Sequence, residues 1–309
     1  MTRFKHIAIA TSIVTLANCG AVCGCEKKTS PAPGPTASAS ASASSAEPIA
    51  IPIDAEEVRK AVNPKGEAPY AGPVGSVKGT VRVSGDASPQ REGVAEQVTA
   101  KCPQSAKQYY SLLFREGEGR RVADAFVAVT GYQGFVPAPT DAVRVNIRDC
   151  TFGERTIGLT FGQRLDVSNL ESQPHMPDLV GAPMKALMVA LAKADPIRMY
   201  PTRPGRYVLT DAMNTFMYSD VLVVKYPTHA VTGLDGKFEI NGIPVGEVTV
   251  SALLPSIMQT AEKKIAVRER ATTDVDLVIE FDAAKYSASK AAASAKAPAP
   301  APATSRSVR

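Results

Sequence analysis

Three histidines, His6, His175 and His229, are all that the 309-residue chain carries, and that scarcity is the first limit on its chemistry. Imidazole is the usual general base and a frequent metal ligand near neutral pH, so few sites of either kind can be built. No Gly-x-Ser-x-Gly, no His-Glu-x-x-His and no helix-opening Gly-x-Gly-x-x-Gly is present. Those absences remove the nucleophile elbow, the zinc-hydrolase helix and the dinucleotide fingerprint. Asp178 and Asp211 are the carboxylates placed to meet near His175, but loop carboxylates ordinarily face water, and no catalytic residue is assigned. Blocks of like charge are missing too. The net charge of +5 arises from 35 basic and 30 acidic residues spread along the chain. Arg115, Arg120 and Arg121, for instance, are interleaved with Glu116 and Glu118. A nucleic-acid binder gathers its cations on one face, so no nucleic-acid partner is expected.

Long apolar runs are also lacking. Residues 7–22 are apolar but interrupted by Thr, Ser and Asn, and a membrane span needs about 20 consecutive apolar residues. Behind the basic start of Arg3 and Lys5, this stretch reads as an export signal. It ends in Cys19, Cys23 and Cys25 among Ala and Gly, which resembles the bacterial lipoprotein signal. The resemblance implies a signal over 1–25 with Cys25 lipidated; Cys19 is the alternative, with an amide side chain just before the cut. The implied location is the cell envelope, lipid-anchored and facing the periplasm or the exterior. Acyl chains contribute about 0.8 kcal/mol per buried methylene, so several of them hold a protein on a bilayer.

Cysteine is otherwise sparse. Cleavage at Cys25 leaves Cys102 and Cys150, and an oxidising compartment favours their pairing. Neither has His or Cys neighbours at the spacing of a metal site, so a disulfide is the expected state.

What is present divides the chain. Residues 26–73 open with a Ser, Ala and Pro tract, including an alternating Ala-Ser run over 37–44, and read as a disordered tether. A short helix is expected at 55–62. The tail 284–309 is again rich in Ala, Ser, Lys and Pro and is expected to be disordered. Between them, 74–283 is dominated by alternation of β-branched residues. Strands are expected at 74–83, 122–132, 143–147, 155–167 (two, around Gly162), 206–209, 221–225, 237–240, 247–253, 264–267 and 274–281. Many short strands separated by turn residues imply an all-β sandwich protein. Met184, Leu187, Met188 and Leu191 fall at helical spacing and predict an inserted amphipathic helix. A break near 226–230 predicts a larger sandwich over 74–225 and a smaller one over 226–283.

Several stretches together resemble exported cupredoxin-like proteins of the plastocyanin-like or methylamine-utilisation type, followed by a carboxypeptidase-regulatory-like sandwich. Gly75-Ser76-Val77-Lys78-Gly79-Thr80-Val81 resembles the opening strand of that family. Cys150-Thr151-Phe152 with Gly162-Gln163-Arg164-Leu165-Asp166-Val167-Ser168-Asn169 resembles its central strands. Pro174-His175-Met176 falls where the first copper histidine would be, and Pro204-Gly205-Arg206-Tyr207 resembles the strand leading to the remaining ligands. Residues 232–246, with Asp235-Gly236 as a hairpin turn, are similar to the regulatory-like signature. The resemblance implies a Greek-key, cupredoxin-like sandwich over 74–225 and a small transthyretin-like sandwich over 226–283.

The implied copper site is degenerate. Type 1 copper needs a thiolate and two imidazoles. Here Thr210 stands where the thiolate would be and Met213 where the second histidine would be. Two readings stay open. In one, the module binds no metal and serves binding or scaffolding with an envelope protein or small ligand. In the other, His175 with Met176, Met213 and Met217 forms a soft set suited to Cu(I). Against the second, methionine is a common filler of apolar cores.

The anchor has a direct test. The exported full chain is expected to incorporate a clickable palmitate analogue and to partition into detergent, and Cys25→Ser is expected to abolish both. Label retained on Cys25→Ser and lost on Cys19→Ser would move the anchor to Cys19.

Overall fold

The computed structural model describes residues 53–182 and 188–296, and these form an almost entirely β molecule. One sandwich is built from the middle of the chain. Its first sheet has the order β3 (Ala142–Ile147), β5 (Arg164–Asn169), β7 (Ile197–Met199). Its second runs β4 (Thr156–Thr160), β9 (Tyr218–Val224), β8 (Gly205–Asp211), β6 (Pro177–Val180). β3 and β4 pair in parallel with β5 and β9, and the other neighbours are antiparallel. Alternation decides which face is inside: in β5, Leu165, Val167 and Asn169 are buried while the residues between them are partly open. Ile147, Leu165 and Val167 of one sheet close on Leu159, Leu209 and Val221 of the other.

The other sandwich takes its strands from both ends of the described chain. β1 (Val74–Gly85) pairs antiparallel with β11 (Lys237–Pro244) and parallel with β14 (Thr272–Asp274) and β15 (Leu277–Phe281). Facing it is the order β10 (His229–Val231), β2 (Phe126–Thr130), β12 (Gly246–Leu254), β13 (Gln259–Val267). Val77, Val81, Ile240, Ile279, Val129 and Val250 are among its buried core residues. Gly79 is obligatory in β1, because a Cβ there would lie 1.7 Å from the Val275 carbonyl oxygen.

The expected boundary at 225/226 is therefore displaced. β1 and β2 belong with the C-terminal strands, and the 142–224 sandwich is inserted between β2 and β10. The expectation followed chain order, because neighbouring strands usually pair. Here β1 finds its partners more than 150 positions further on, as in Val77 opposite Ile240. β2 has another sign of this placement: Val127 and Val129 enter the core above, while Phe126 and Ala128 point the other way into a small cluster with Leu222 of β9. A strand covered on both faces lies between layers.

Three further expectations change. The expected helix at 55–62 is α1 (Ala55–Val62), capped by Asp54, whose Oδ1 accepts from the Glu56 and Glu57 backbone N–H groups at 2.7 and 3.2 Å. It is not part of a loose tether, because a Cβ on Gly162 would lie 2.6 Å from the Val58 side chain and the Tyr70 backbone N–H donates to Phe135 O at 2.7 Å. Residues 26–52 of the expected tether lie outside the described residues. The tail is helical over α4 (Ala283–Lys296), as its alanine content permits, and 297–309 are outside the described residues. The expected helix around 184–191 is not formed in its described part. Residues 183–187 are outside the description, and Ala190 instead exchanges backbone hydrogen bonds with His175 at 2.7 and 3.2 Å. Val189 and Leu191 are exposed.

Two short helices, α2 (Val94–Gln97) and α3 (Gln104–Ser111), went unforeseen, with Val94, Ala106 and Tyr110 packed into the inserted sandwich. The Cys102–Cys150 disulfide, with Cα atoms 5.7 Å apart, ties the start of α3 to the turn after β3. Among the described residues no helix is long and apolar enough to cross a membrane.

Closing a loop of this length stabilises the fold by about 4 kcal/mol in the chain-entropy model. Urea unfolding of the Cys102→Ser, Cys150→Ser double variant is expected to show a loss of that order, and thiol titration of the denatured, unreduced mature wild type should find neither of these thiols.

Candidate functional site

His175 lies just before β6, and its side chain is fully buried against the end of β8. Strand pairing brings it there: Pro177 is opposite Asp211, the last residue of β8. The His175 Nδ1–H donates to Asp211 Oδ2 at 2.9 Å. The same oxygen accepts from the Met176 backbone N–H at 3.1 Å, while Oδ1 accepts from those of Met213 and Asn214, each at 2.8 Å. One carboxylate, 1% exposed, thus fixes both the histidine and the turn after β8. Asn169 completes the frame, its Nδ2 donating to Gln173 O and Ala190 O at 2.6 and 2.8 Å.

On the other side of the ring, Nε2 stands 3.7 Å from Glu171 Oε2, too long for a hydrogen bond, and has no hydrogen-bond partner among the described residues. Glu171 Oε1 accepts from the Cys150 backbone N–H at 2.5 Å, which ties this carboxylate to the disulfide turn. Burial pulls the His175 pKa down, but the Asp211 hydrogen bond and charge, helped by Glu171, outweigh it and raise the value above that of a free imidazole.

The sequence-derived ligand set is not assembled here. Of the expected neighbours, Asp211 hydrogen-bonds the His175 ring. Met213 is 52% exposed at the turn, whereas Met217 is fully buried in the apolar core beside Phe216. Thr210 Oγ1 donates to the Asp178 carbonyl at 3.4 Å, a weak contact between paired strands. A copper ion would need the imidazole nitrogen that Asp211 already holds, or the opposite one, beside a carboxylate rather than a thioether. The soft His/Met donor set does not fit this geometry. Among the described residues, no three His, Cys, Asp or Glu side chains are grouped to hold an ion.

His229, expected in a link between sandwiches, lies in β10 with its ring centroid 5.2 Å from that of Phe126. It fits because β4 presents Gly158, where a Cβ would come within 2.7 Å of His229 Nδ1. Burial without a charged partner pushes its pKa down to about 4. Glu171 was missed by sequence reasoning; its position four residues before His175 was the available signal.

No family model matches the chain, and no curated protein matches it. Among solved structures, amicyanin from Paracoccus versutus (Thiobacillus versutus) is 19% identical, covering 31% of this chain and 96% of its own, with a TM-score of 0.25. A reduced amicyanin variant is 21% identical over 27% of this chain and 82% of its own, at 0.24. A Cu(I) form of another variant is 19% identical over 31% and 97%, also at 0.24. Scores this low carry no argument about ligands or activity.

The two histidines respond oppositely to pH. His175 binds its proton more tightly when folded, so its contribution is complete below the unfolded pKa and is lost as pH rises through the higher folded value. His229 resists protonation when folded, so stability is lost as pH falls from about 6.5 toward about 4. In urea unfolding across this range, His175→Gln is expected to remove the loss on the alkaline side, and His229→Phe the loss on the acid side.

Proposed function

We propose that this chain is an exported envelope protein, lipid-anchored at Cys25, whose sandwiches act in binding or scaffolding and carry out neither catalysis nor electron transfer. On this reading the inserted sandwich is a cupredoxin-like module that has given up its copper chemistry, and the other is a carboxypeptidase-regulatory-like module. The partner is an envelope protein or a small ligand at the periplasmic or outer face. The observation that supports it best is the His175–Asp211 pair, which converts the one well-placed imidazole into a structural tie. Asp211 spends both oxygens on that tie and on three backbone N–H groups. Freeing His175 for a metal would leave this buried carboxylate partly unpaired, at a cost of about 1–3 kcal/mol or more.

Copper separates this reading from its rival. Titration of the purified full chain with Cu(I) under a competing chelator is expected to show no submicromolar site, and Cu(II) no intense blue band. His175→Ala is expected to lower the urea midpoint and leave copper affinity unchanged. A submicromolar Cu(I) site abolished by His175→Ala, or a blue form with a reversible one-electron couple, would overturn the proposal.

A further inference from the structure

The two sandwiches do not close completely on one another where β2 faces β9. Two clefts open there, and Tyr226, just past β9, forms a wall of both. The first, of about 280 Å³, is lined mainly by apolar groups, among them Phe126, Ala128, Leu222, Val224 and Leu253. Its walls include small residues at Gly205, Ala128 and Ser251, and the missing side-chain volume leaves the space. The second, of about 400 Å³, lies further along β2 and has a different character. Tyr132, Phe135, Gln133, Lys65 and Lys225 line it, together with the last turn of α1.

The polar cleft is preformed. Asn63 and Glu67 close one wall, Asn63 Oδ1 accepting from the Glu67 N–H at 2.9 Å and Nδ2 donating to Glu67 O at 2.8 Å. Gly134 has φ +95° and packs on the Tyr70 ring, where a Cβ would lie 2.6 Å from a ring carbon. Of the two lysines, Lys65 is 3.7 Å from Glu67. Lys225 has no carboxylate partner among the described residues. The Tyr132 hydroxyl is 3.1 Å from Thr228 Oγ1, and burial raises the pKa of both Tyr132 and Tyr226, so both phenols stay neutral donors.

We propose that this seam binds a small anionic amphiphile, with its apolar tail against Phe126, Ala128 and Leu222 and its anionic head at Lys225 and Tyr132. Ligand sites favour such places: an apolar cleft at a junction between domains, with a few convergent polar groups. The apolar cleft, of about 280 Å³, offers room for a short apolar chain. An unpaired cation at the polar end selects an acidic head over a neutral or cationic one. The site is separate from His175 and does not depend on where or how the chain is anchored.

Calorimetry on the exported full-length chain carrying Cys25→Ser, which removes the expected lipid of its own, provides the test. The probes are decanoate, decanol and decyltrimethylammonium, all below their micelle concentrations. Decanoate is expected to bind saturably, and more tightly than either competitor. Lys225→Glu should weaken decanoate about tenfold, near 1.4 kcal/mol, and leave decanol unchanged. Ser251→Phe, which fills the apolar cleft, should weaken both. If that variant loses its wild-type urea midpoint, Thr260→Phe at the mouth of the same cleft replaces it. Absence of saturable decanoate binding, equal affinity for the cationic probe, or indifference of binding to the filling substitution in a folded variant would overturn the proposal.

Discussion

Asp211 sits at the end of β8 with both carboxylate oxygens engaged, and this end of the inserted sandwich is arranged around it. It holds the His175 ring, the backbone leaving His175 and the turn that carries Met213 and Asn214. A buried carboxylate is costly unless its lone pairs are filled by donors of the right geometry. Once Asp211 is buried there, the imidazole and the turn must come to it. That constraint fixes the turn on which Met213 is exposed and engages one nitrogen of His175.

A second tightly paired acid lies where β4 and β9 begin. Asp124 has φ +66° and accepts both arms of Arg115 at 2.6 and 2.8 Å, as well as the Arg155 backbone N–H at 3.1 Å. The Arg155 side chain donates to the Leu112 and Leu113 carbonyls, each at 2.9 Å, and to the Tyr218 hydroxyl. The segment before β2 is thereby fastened to the first strand of the inserted sandwich's second sheet. Fully satisfied polar clusters of this kind fix one geometry where apolar contact alone would allow sliding. Small residues along the walls of the seam beside β2 leave room there.

The alternating stretches made the all-β class legible, and most strands appear where β-branched residues alternate. Expected strands at 74–83, 143–147 and 247–253 became β1, β3 and β12 within a few residues. The disulfide was equally legible, because the presumption of export left Cys102 and Cys150 as the natural pair. Less visible was the helix α3, whose polar sequence gives little periodic signal and whose burial depends on Tyr110 entering a core assembled from other segments. The helix around 184–191 was the opposite case: a periodic signal with no helix in the described part, where Ala190 pairs with His175 through the backbone.

The sequence by itself determined the secondary-structure type, the cysteine pairing and the lack of a thiolate at Thr210, because each depends on residue identity or short-range pattern. Tertiary structure decided which strands are partners and therefore where one sandwich interrupts the other. Pairing across more than 150 residues is set by the fit of whole faces, such as Gly79 beneath Val275, and no local window contains that information. It also decided the role of His175: a histidine's chemistry follows from what its two nitrogens face, and only the folded chain places Asp211 against one and Glu171 near the other.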